Sequence, residues 1–476
     1  MAKRFLKAVV SAVITCAFFI PAHGESEKTG ARELSLEEFI ELSAANDKVF
    51  EEILVENLKL NYRKKLKLPA DDIVMSVKNR YVAFLRPDKG KPEYSFSLAK
   101  LFPYTGTEVE AGYFSTVRGP GGGDVDADLY AIVSQPIARN AFGKTNRLLD
   151  RIVGLEVEIA GYQIVEAYEA YLEAMIKVYY GWNESYENLR TAENSYRESR
   201  RMLDNVRERQ KSNIALAVDV NKVYIQVLLK EETLIEARNS FMEQTNLVKK
   251  SIGYDIGDVL VPVESDPFDG MDIDFESEYR VFREHGRTSV ILEMLEKKSA
   301  LEVDKFADAL LPSIDLFAEY RIKSPGRYFE KDDKRVMAGF SLDYPFPGQV
   351  EKAEYETSRV EHKRNVLARH NAHIRIYTEL RNIYDKIQKQ KELIEIARRK
   401  IRVGEEIVKD DTLNYSYGRQ NLNNLIDEIN RLDRHRFNKI QRSILLKKLV
   451  IEWLSLTDRL VRDMPEIGKS PAYGTR

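Results

Sequence analysis

Cysteine is all but missing from this chain. The single thiol among 476 residues is Cys16, and it lies in a segment where Lys3, Arg4 and Lys7 precede the apolar run from Ala8 to Ile20, followed by Ala22-His23-Gly24. That order reads as a secretory signal peptide over residues 1–24. The run is shorter than the roughly 20 residues a spanning helix needs, and Thr15 stands where a lipoprotein signal would want Gly, Ala or Ser, so neither an anchor nor a lipid at Cys16 is expected. Without cysteine beyond the signal there is no disulfide framework, and an exported chain of this kind must be held by packing. Long apolar runs are lacking elsewhere, since the chain is 32% charged with a mean hydropathy of -0.42. A surplus of one charge is lacking too: 74 Lys and Arg face 76 Asp and Glu, which gives no footprint for nucleic acid. Six histidines are scattered along the chain. His370 and His373 stand three apart on a predicted helix but have no third ligand at matching spacing, so they read as a solvated face rather than a metal site. Gly119-Pro120-Gly121-Gly122-Gly123 lacks the Lys-Ser/Thr of a phosphate loop and reads as a flexible turn. No catalytic constellation or cofactor motif is present, and an enzyme is not expected.

Proline is absent between Pro136 and Pro262 and again between Pro347 and Pro465. Only there can long helices run uninterrupted. In the second interval Ile376, Leu380, Ile383, Ile387, Gln390, Ile394, Ala397 and Ile401 alternate spacings of four and three, a heptad seam with one polar break. The rhythm returns in Leu422, Leu425, Ile429 and Leu432, and on a shifted seam in Phe437, Ile440 and Ile444. Between them lies a turn-like patch, Asp410 to Gly418. The first interval repeats the scheme, with Leu148, Ile152, Leu155, Ile159 and Tyr162 outward, and Leu216, Val220, Val223, Val227, Lys230, Leu234 and Ala237 on the return. Asn213, able to adopt a left-handed conformation, marks its turn. Each pattern predicts an antiparallel helical hairpin, the second with arms of roughly 55 to 60 residues, about 80 to 90 Å long at 1.5 Å per residue.

Two further landmarks also recur. Leu68-Pro69 and Leu311-Pro312 each precede strand-like stretches, which end at Gln135-Pro136 and Tyr344-Pro345. The chain therefore reads as a duplication. The first repeat covers 33–255, with strands over about 72–136 and a hairpin over 140–252. The second covers 275–460, with strands over about 313–345 and a hairpin over 349–457. Shorter helices, Leu36 to Lys67 and Phe275 to Ala309, precede the strand groups, and a polar tail occupies 461–476. In the second repeat Ile314, Leu316, Ala318, Tyr320 and Ile322 share one face, as do Val336, Ala338, Phe340, Leu342 and Tyr344. Runs of about ten such residues suit tilted transmembrane strands. The first repeat carries an additional hairpin over 93–117, in which Tyr94, Phe96 and Leu98 alternate with serines, a Tyr104-Thr105-Gly106-Thr107 turn follows, and Val109, Ala111 and Tyr113 then alternate with Glu108, Glu110 and Gly112.

Taken in order, Leu310-Leu311-Pro312-Ser313-Ile314-Asp315-Leu316, Ser134-Gln135-Pro136-Ile137-Ala138-Arg139-Asn140-Ala141-Phe142-Gly143 and Tyr415-Ser416-Tyr417-Gly418 resemble the TolC-type outer-membrane efflux protein family over nearly the whole mature chain. The fold class implied is mainly α with membrane β-barrel strands, a trimeric α/β barrel built from a duplicated helix, strands and long helical hairpin. The resemblance implies a homotrimer with four strands per chain in one twelve-stranded barrel, set in outer-membrane lipid of a Gram-negative bacterium. It also implies a helical tunnel into the periplasm, docked on an adaptor and an inner-membrane pump. The function implied is a passive exit duct of tripartite efflux or type I secretion. Whether the hairpin 93–117 adds strands or extends an external loop stays open at this stage. So does a different class, a periplasmic coiled-coil adaptor or scaffold, against which the duplicated strand groups count.

The family's gate residues, carried onto this chain, fall on Asn424 and Asp427, of which only the second is acidic; three Asp427 carboxylates would form a ring favouring cations. Tyr415 would face Asp219 as a hydroxyl-to-carboxylate latch. Gln420 occupies the position of a latch arginine, which implies fewer ionic restraints unless Arg419 next door substitutes. Gly418 and Asn213 mark the hairpin turns, and Pro136 and Pro345 the strand-to-helix junctions. The family's Asn-Pro in the first helix of each half is replaced by Asn46-Asp47 and Thr288-Ser289.

Overall fold

A computed structural model describes residues 32–69, 71–83, 90–118, 124–253, 259–263, 270–324 and 333–461. The signal segment with Cys16, the turn Gly119 to Gly123 and the tail beyond residue 461 lie outside the described residues. Strands β1 (Arg32–Leu34), β2 (Ile73–Ala83), β3 (Gly90–Phe102), β4 (Thr107–Arg118), β5 (Asp124–Pro136), β6 (Leu260–Pro262), β7 (Ser313–Ser324) and β8 (Asp333–Asp343) alternate with helices. These are α1 (Leu36–Asn46), α2 (Lys48–Lys67), α3 (Lys144–Lys211), α4 (Ala217–Ile252), α5 (Phe275–His285), α6 (Arg287–Ala309), α7 (Gln349–Ser416) and α8 (Leu422–Leu456). The chain divides into two compact units. One holds the chain up to Val55 with Ile164–Arg287 and the part from Ile374 onward, and the other holds Glu56–Gln163 and Thr288–His373.

The second of these units contains a six-stranded antiparallel sheet in the order β2-β3-β4-β5-β7-β8. The additional hairpin is therefore part of the sheet, which has two strands more than the four the resemblance implies. Because facing residues of an antiparallel pair point to the same side, the register can be followed across all six strands. One row runs Met75, Leu98, Ala111, Ala131, Tyr320, Val336, and the next on the same face runs Val77, Phe96, Tyr113, Leu129, Ile322, Lys334. The opposite face interleaves Ser76, Ser97, Gly112, Tyr130, Arg321 and Arg335. There the Tyr130 hydroxyl donates to Glu110 at 2.9 Å, Arg80 pairs with Glu93, and Arg321 pairs with Glu319. Two glycines on the polar face stand opposite rings. A Cβ on Gly112 would run into Tyr130, and one on Gly339 into Phe317, so each glycine gives its cross-strand aromatic room to lie over the sheet. The apolar face is exposed: Met75 is 65% and Val336 79% accessible.

The helical unit buries most of the α7 seam, whereas Leu216, expected on the return seam of the first hairpin, is 69% exposed. Leu380, Ile383, Ile387, Ile394 and Ala397 of α7 are all buried. The polar break Gln390 is buried as well, its amide donating to the Arg442 carbonyl of α8 at 3.1 Å, so a side chain unsuited to the seam is satisfied across it. Aromatic rings fill much of the rest of this core. Trp182 stacks on Phe241 and Trp453 packs with Phe275 and Tyr384. Both indoles are satisfied, by Thr245 at 2.9 Å and by Glu278 at 2.6 Å. A short parallel pair, β1 with β6, was not foreseen from the sequence. Two helices expected as continuous are broken. The first stops at Asp47, whose carboxylate accepts from the Val49 N–H and starts α2, and the other stops at Gly286. Among the described residues no helix is long and apolar enough to cross a membrane.

Candidate functional site: the strand-to-helix junction and the hairpin tips

In the sheet-bearing unit, β5 leaves the sheet at Pro136 and must turn into α3 within seven residues. Asn140, Phe142 and Gly143 do so with φ of 56°, 46° and 75°. Two non-glycine residues in the left-handed region cost energy, and the surroundings hold them there. The Asn140 side chain accepts from the Thr145 and Asn146 N–H groups at 3.0 and 3.4 Å, closing the open first turn of α3. Asp308, at the end of α6 with its side chain 1% exposed, accepts from the Asn140 N–H at 2.8 Å and the Thr145 hydroxyl at 2.7 Å. It also pairs with Lys144 at 3.2 Å. Burial pushes the Asp308 carboxyl up, but the donors of Thr145, Asn140 and Lys144 outweigh it and hold the group below its ordinary value.

The β3–β4 turn is seated on the same junction. Asn146 donates to the Pro103 carbonyl at 3.0 Å, Arg147 to the Tyr104 carbonyl at 2.8 Å, and Gln135 to the Thr105 carbonyl at 2.9 Å. The second junction, at Pro345, turns through Gly348 at φ 67°.

In the helical unit, α7 runs on to Ser416, so Asp410 to Ser416 are helical and the turn is confined to residues 417–421. Turn-forming Asp410, Asp411 and Asn414 gave the opposite signal, but packing along the rod overrides such local preferences. Gly418 ends the helix at φ 73°, and Asn213 stands at φ 63° between α3 and α4. Leu203 and Val206 of α3, Val223 and Val227 of α4 and Leu422 of α8 form one small core, against which Tyr415 packs.

The expected bond between Tyr415 and Asp219 is not formed. Asp219 lies in the first turn of α4 and accepts from the Leu216 N–H at 3.3 Å, capping its own helix. Tyr415 instead lies under the guanidinium of Arg209, 4.9 Å from the ring centre, and Arg209 also donates to the Ser416 carbonyl at 2.9 Å. Burial raises the Tyr415 phenol above its ordinary value, with Arg209 opposing and Asp219 adding to the rise. Gln420 works within its own hairpin, donating to Asp411 at 2.9 Å and accepting from Asn424 at 3.4 Å. Arg419 lies over the Tyr417 ring. Asp427 and Asn424 are exposed on the first turns of α8.

Links between the hairpins other than Arg209 also escaped the sequence reading, Lys448 with Glu184 at 3.4 Å and Arg436 with Glu198 at 3.6 Å among them. Gln226 and Asn430 bond amide to amide at 2.6 Å, and Lys230 meets Asp433 at 2.7 Å with both side chains largely buried. Lys230 did carry a signal: a lysine on an apolar heptad seam requires a buried partner. Arg209 carried none, because it follows the last periodic position of its helix. Among the described residues no group of three or more His, Cys, Asp or Glu side chains is placed to hold a metal ion.

No family model matches the sequence, and no curated protein matches it. The structure, however, is similar to solved outer-membrane proteins at low identity. CusC, described for folding and transmembrane channel formation, superposes with a TM-score of 0.68 at 10% identity, covering 92% of this chain and 95% of its own. The outer membrane protein VceC of Vibrio cholerae gives 0.67 at 10% identity, covering 89% and 95%. The CmeC outer membrane channel of Campylobacter jejuni gives 0.63 at 12% identity, covering 95% and 97%. Over nine-tenths of its length, the chain has the fold of the TolC-type outer-membrane channels.

Proposed function

We propose that this protein is a passive exit duct of a Gram-negative outer membrane, whose helical hairpins form a tunnel in the periplasm. The observation that carries the reading is the sheet. Its apolar face is continuous and exposed over six strands while its other face is polar, the alternation of a barrel with lipid outside and water inside. An open sheet leaves unpaired backbone groups at β2 and β8, which lipid does not tolerate. Closure therefore comes from other copies, and a homotrimer is the assembly the resemblance implies. The outer-membrane proteins of the same fold support this placement. The partners in this reading are a periplasmic adaptor and an inner-membrane pump, which supplies the energy; solutes or unfolded polypeptide pass through. No nucleic acid, metal or cofactor takes part.

The hairpin turns form the gate, with Asp427 as an exposed carboxylate near the opening and Arg209 joining the two hairpins through Tyr415 and Ser416. A cation over a ring contributes about 0.5–1 kcal/mol at an exposed site, and a hydrogen bond from a charged group about 1.5–3 kcal/mol. Arg209→Ala is therefore expected to raise the open probability of the reconstituted channel about tenfold or more. The test is recovery of the protein in the outer-membrane fraction as a heat-dissociable trimer that conducts in planar bilayers, with the Arg209→Ala channel open more often. A soluble periplasmic monomer without conductance would overturn the reading, and an unchanged open probability would remove Arg209 from the gate.

A further inference from the structure

The two edges of the sheet have a partner written into their geometry. β2 and β8 are each eleven residues long, and they run antiparallel because they are the first and last of six alternating strands. The register is staggered. Ile73, the first residue of β2, shares a row with Lys100, Val109, Val133, Ala318 and Ala338. Ala338 stands five residues before the end of β8 at Asp343. The row thus climbs five residues over five strand pairs, away from the end of the sheet that carries Pro136 and the β3–β4 turn. A climb of one residue per strand is the stagger of a barrel whose shear equals its strand number, with a tilt of about 36°.

We propose that β2 of one copy pairs with β8 of the next, so that three copies close a barrel of eighteen strands rather than the twelve the resemblance implies. The inference rests on the trimeric reading above and extends it. Continuing the same climb by one strand sets Ala338 opposite Asn79 of the neighbouring copy. In that register Val77 faces Phe340, Met75 faces Leu342 and Tyr81 faces Val336, and the two strands overlap over almost their whole length. The choice is narrow, because a shift by one residue would turn the apolar side chains of β2 to the polar face. Val77 and Phe340 are each 69% exposed in the single chain, as residues awaiting a neighbouring strand should be. The added hairpin cannot be a loop lying outside this wall. Phe96, Leu98, Ala111 and Tyr113 carry the apolar face without a gap from β2 to β5, and the β3–β4 turn is bonded to the junction residues Gln135, Asn146 and Arg147. At equal tilt, barrel diameter grows with strand number, so the pore through the membrane is about one and a half times as wide as that of a twelve-stranded barrel.

The test uses the full-length protein, whose only native cysteine is Cys16. Facing residues of an antiparallel pair have Cα atoms about 4.5–5.5 Å apart, within disulfide range. Mild oxidation of the Val77→Cys, Phe340→Cys double variant in outer membranes should give a covalent trimer that survives heating in detergent. Neither single variant should do so, and neither should Lys78→Cys with Phe340→Cys, whose side chains lie on opposite faces. Counting strands in wild-type trimers by electron cryomicroscopy gives a second reading that does not depend on the variants folding. Heat-dissociable trimers with twelve strands and no cross-link overturn the eighteen-stranded barrel while leaving the exit duct standing. A wild-type protein that is monomeric in the membrane overturns both.

Discussion

At the scale of single residues, Asp308 shows how the junction is held and how it should respond to pH. Its carboxylate is buried, and the Asn140 N–H, the Thr145 hydroxyl and Lys144 all serve its charged form. Its folded pKa is therefore depressed. A depressed carboxylate contributes stability that is fully present above its unfolded pKa, near 3.9, and is lost as pH falls through the folded value. The sheet-bearing unit should accordingly lose thermal stability below about pH 4 through this group, with none of that loss between about pH 5 and 8. Asp308→Asn should lower stability by about 2–3 kcal/mol near neutral pH, because the amide presents a donor where three donors converge. It should also flatten the acid limb, and differential scanning calorimetry from pH 3 to 8 measures both effects. An unchanged acid limb in the variant would remove Asp308 from this role. Nothing in the sequence singled it out, since an acid three residues before Leu311-Pro312 looks like any other helix carboxylate. Its partners come from 163 to 168 residues away.

At the scale of elements, two glycines with nearly the same backbone conformation should behave differently. Gly418 has φ 73° and nothing within 4 Å of where a Cβ would stand. Gly143 has φ 75°, but a Cβ there would stand 2.8 Å from the Pro103 carbonyl oxygen and closer still to that of Tyr104. Gly418→Ala should cost only the left-handed conformation, about 1–2 kcal/mol. Gly143→Ala must also push backbone away, unseating the β3–β4 turn from the junction, and should cost well over 3 kcal/mol or prevent assembly. The heat-dissociation temperature of the two variants measures the contrast, and equal losses would contradict it. The same pair illustrates what a sequence discloses. Gly418 closes a long periodic segment, so its place as a helix stop was legible, as were both rods, because seams such as Leu380, Ile383 and Ile387 repeat over many turns. Gly143 is decided by a turn forty residues earlier, and that contact has no periodicity to read. For the same reason the strands of the added hairpin were legible from alternation, but their place in the sheet was not. The helix breaks at Asp47 and Gly286 were missed because no proline marks them. That Tyr415 lies under Arg209 of the other hairpin, with no bond to Asp219, was not legible either.

For the whole molecule, the decisive property is that the sheet has two chemically different faces and that the added hairpin shares both. Phe96 lies in the apolar row between Val77 and Tyr113, whereas its neighbour Ser97 lies in the polar row between Ser76 and Gly112. An arginine on the lipid face of a membrane barrel costs about 2–4 kcal/mol near the midplane, and a lumen position tolerates it. Phe96→Arg should therefore depress the amount of heat-dissociable trimer recovered from outer membranes several-fold. Ser97→Arg should assemble normally and shift the reversal potential under a salt gradient toward anion preference, because in the proposed barrel the new charge projects into the water-filled interior. The two substitutions sit on adjacent residues of one strand, so differences in expression or in local propensity largely cancel. If both assemble and neither alters selectivity, the hairpin lies outside the barrel wall. If Ser97→Arg fails while Phe96→Arg assembles, the faces are reversed, and the polar rows through Tyr130, Glu110 and Arg321 would have to meet lipid, where their charges have no water to complete their solvation.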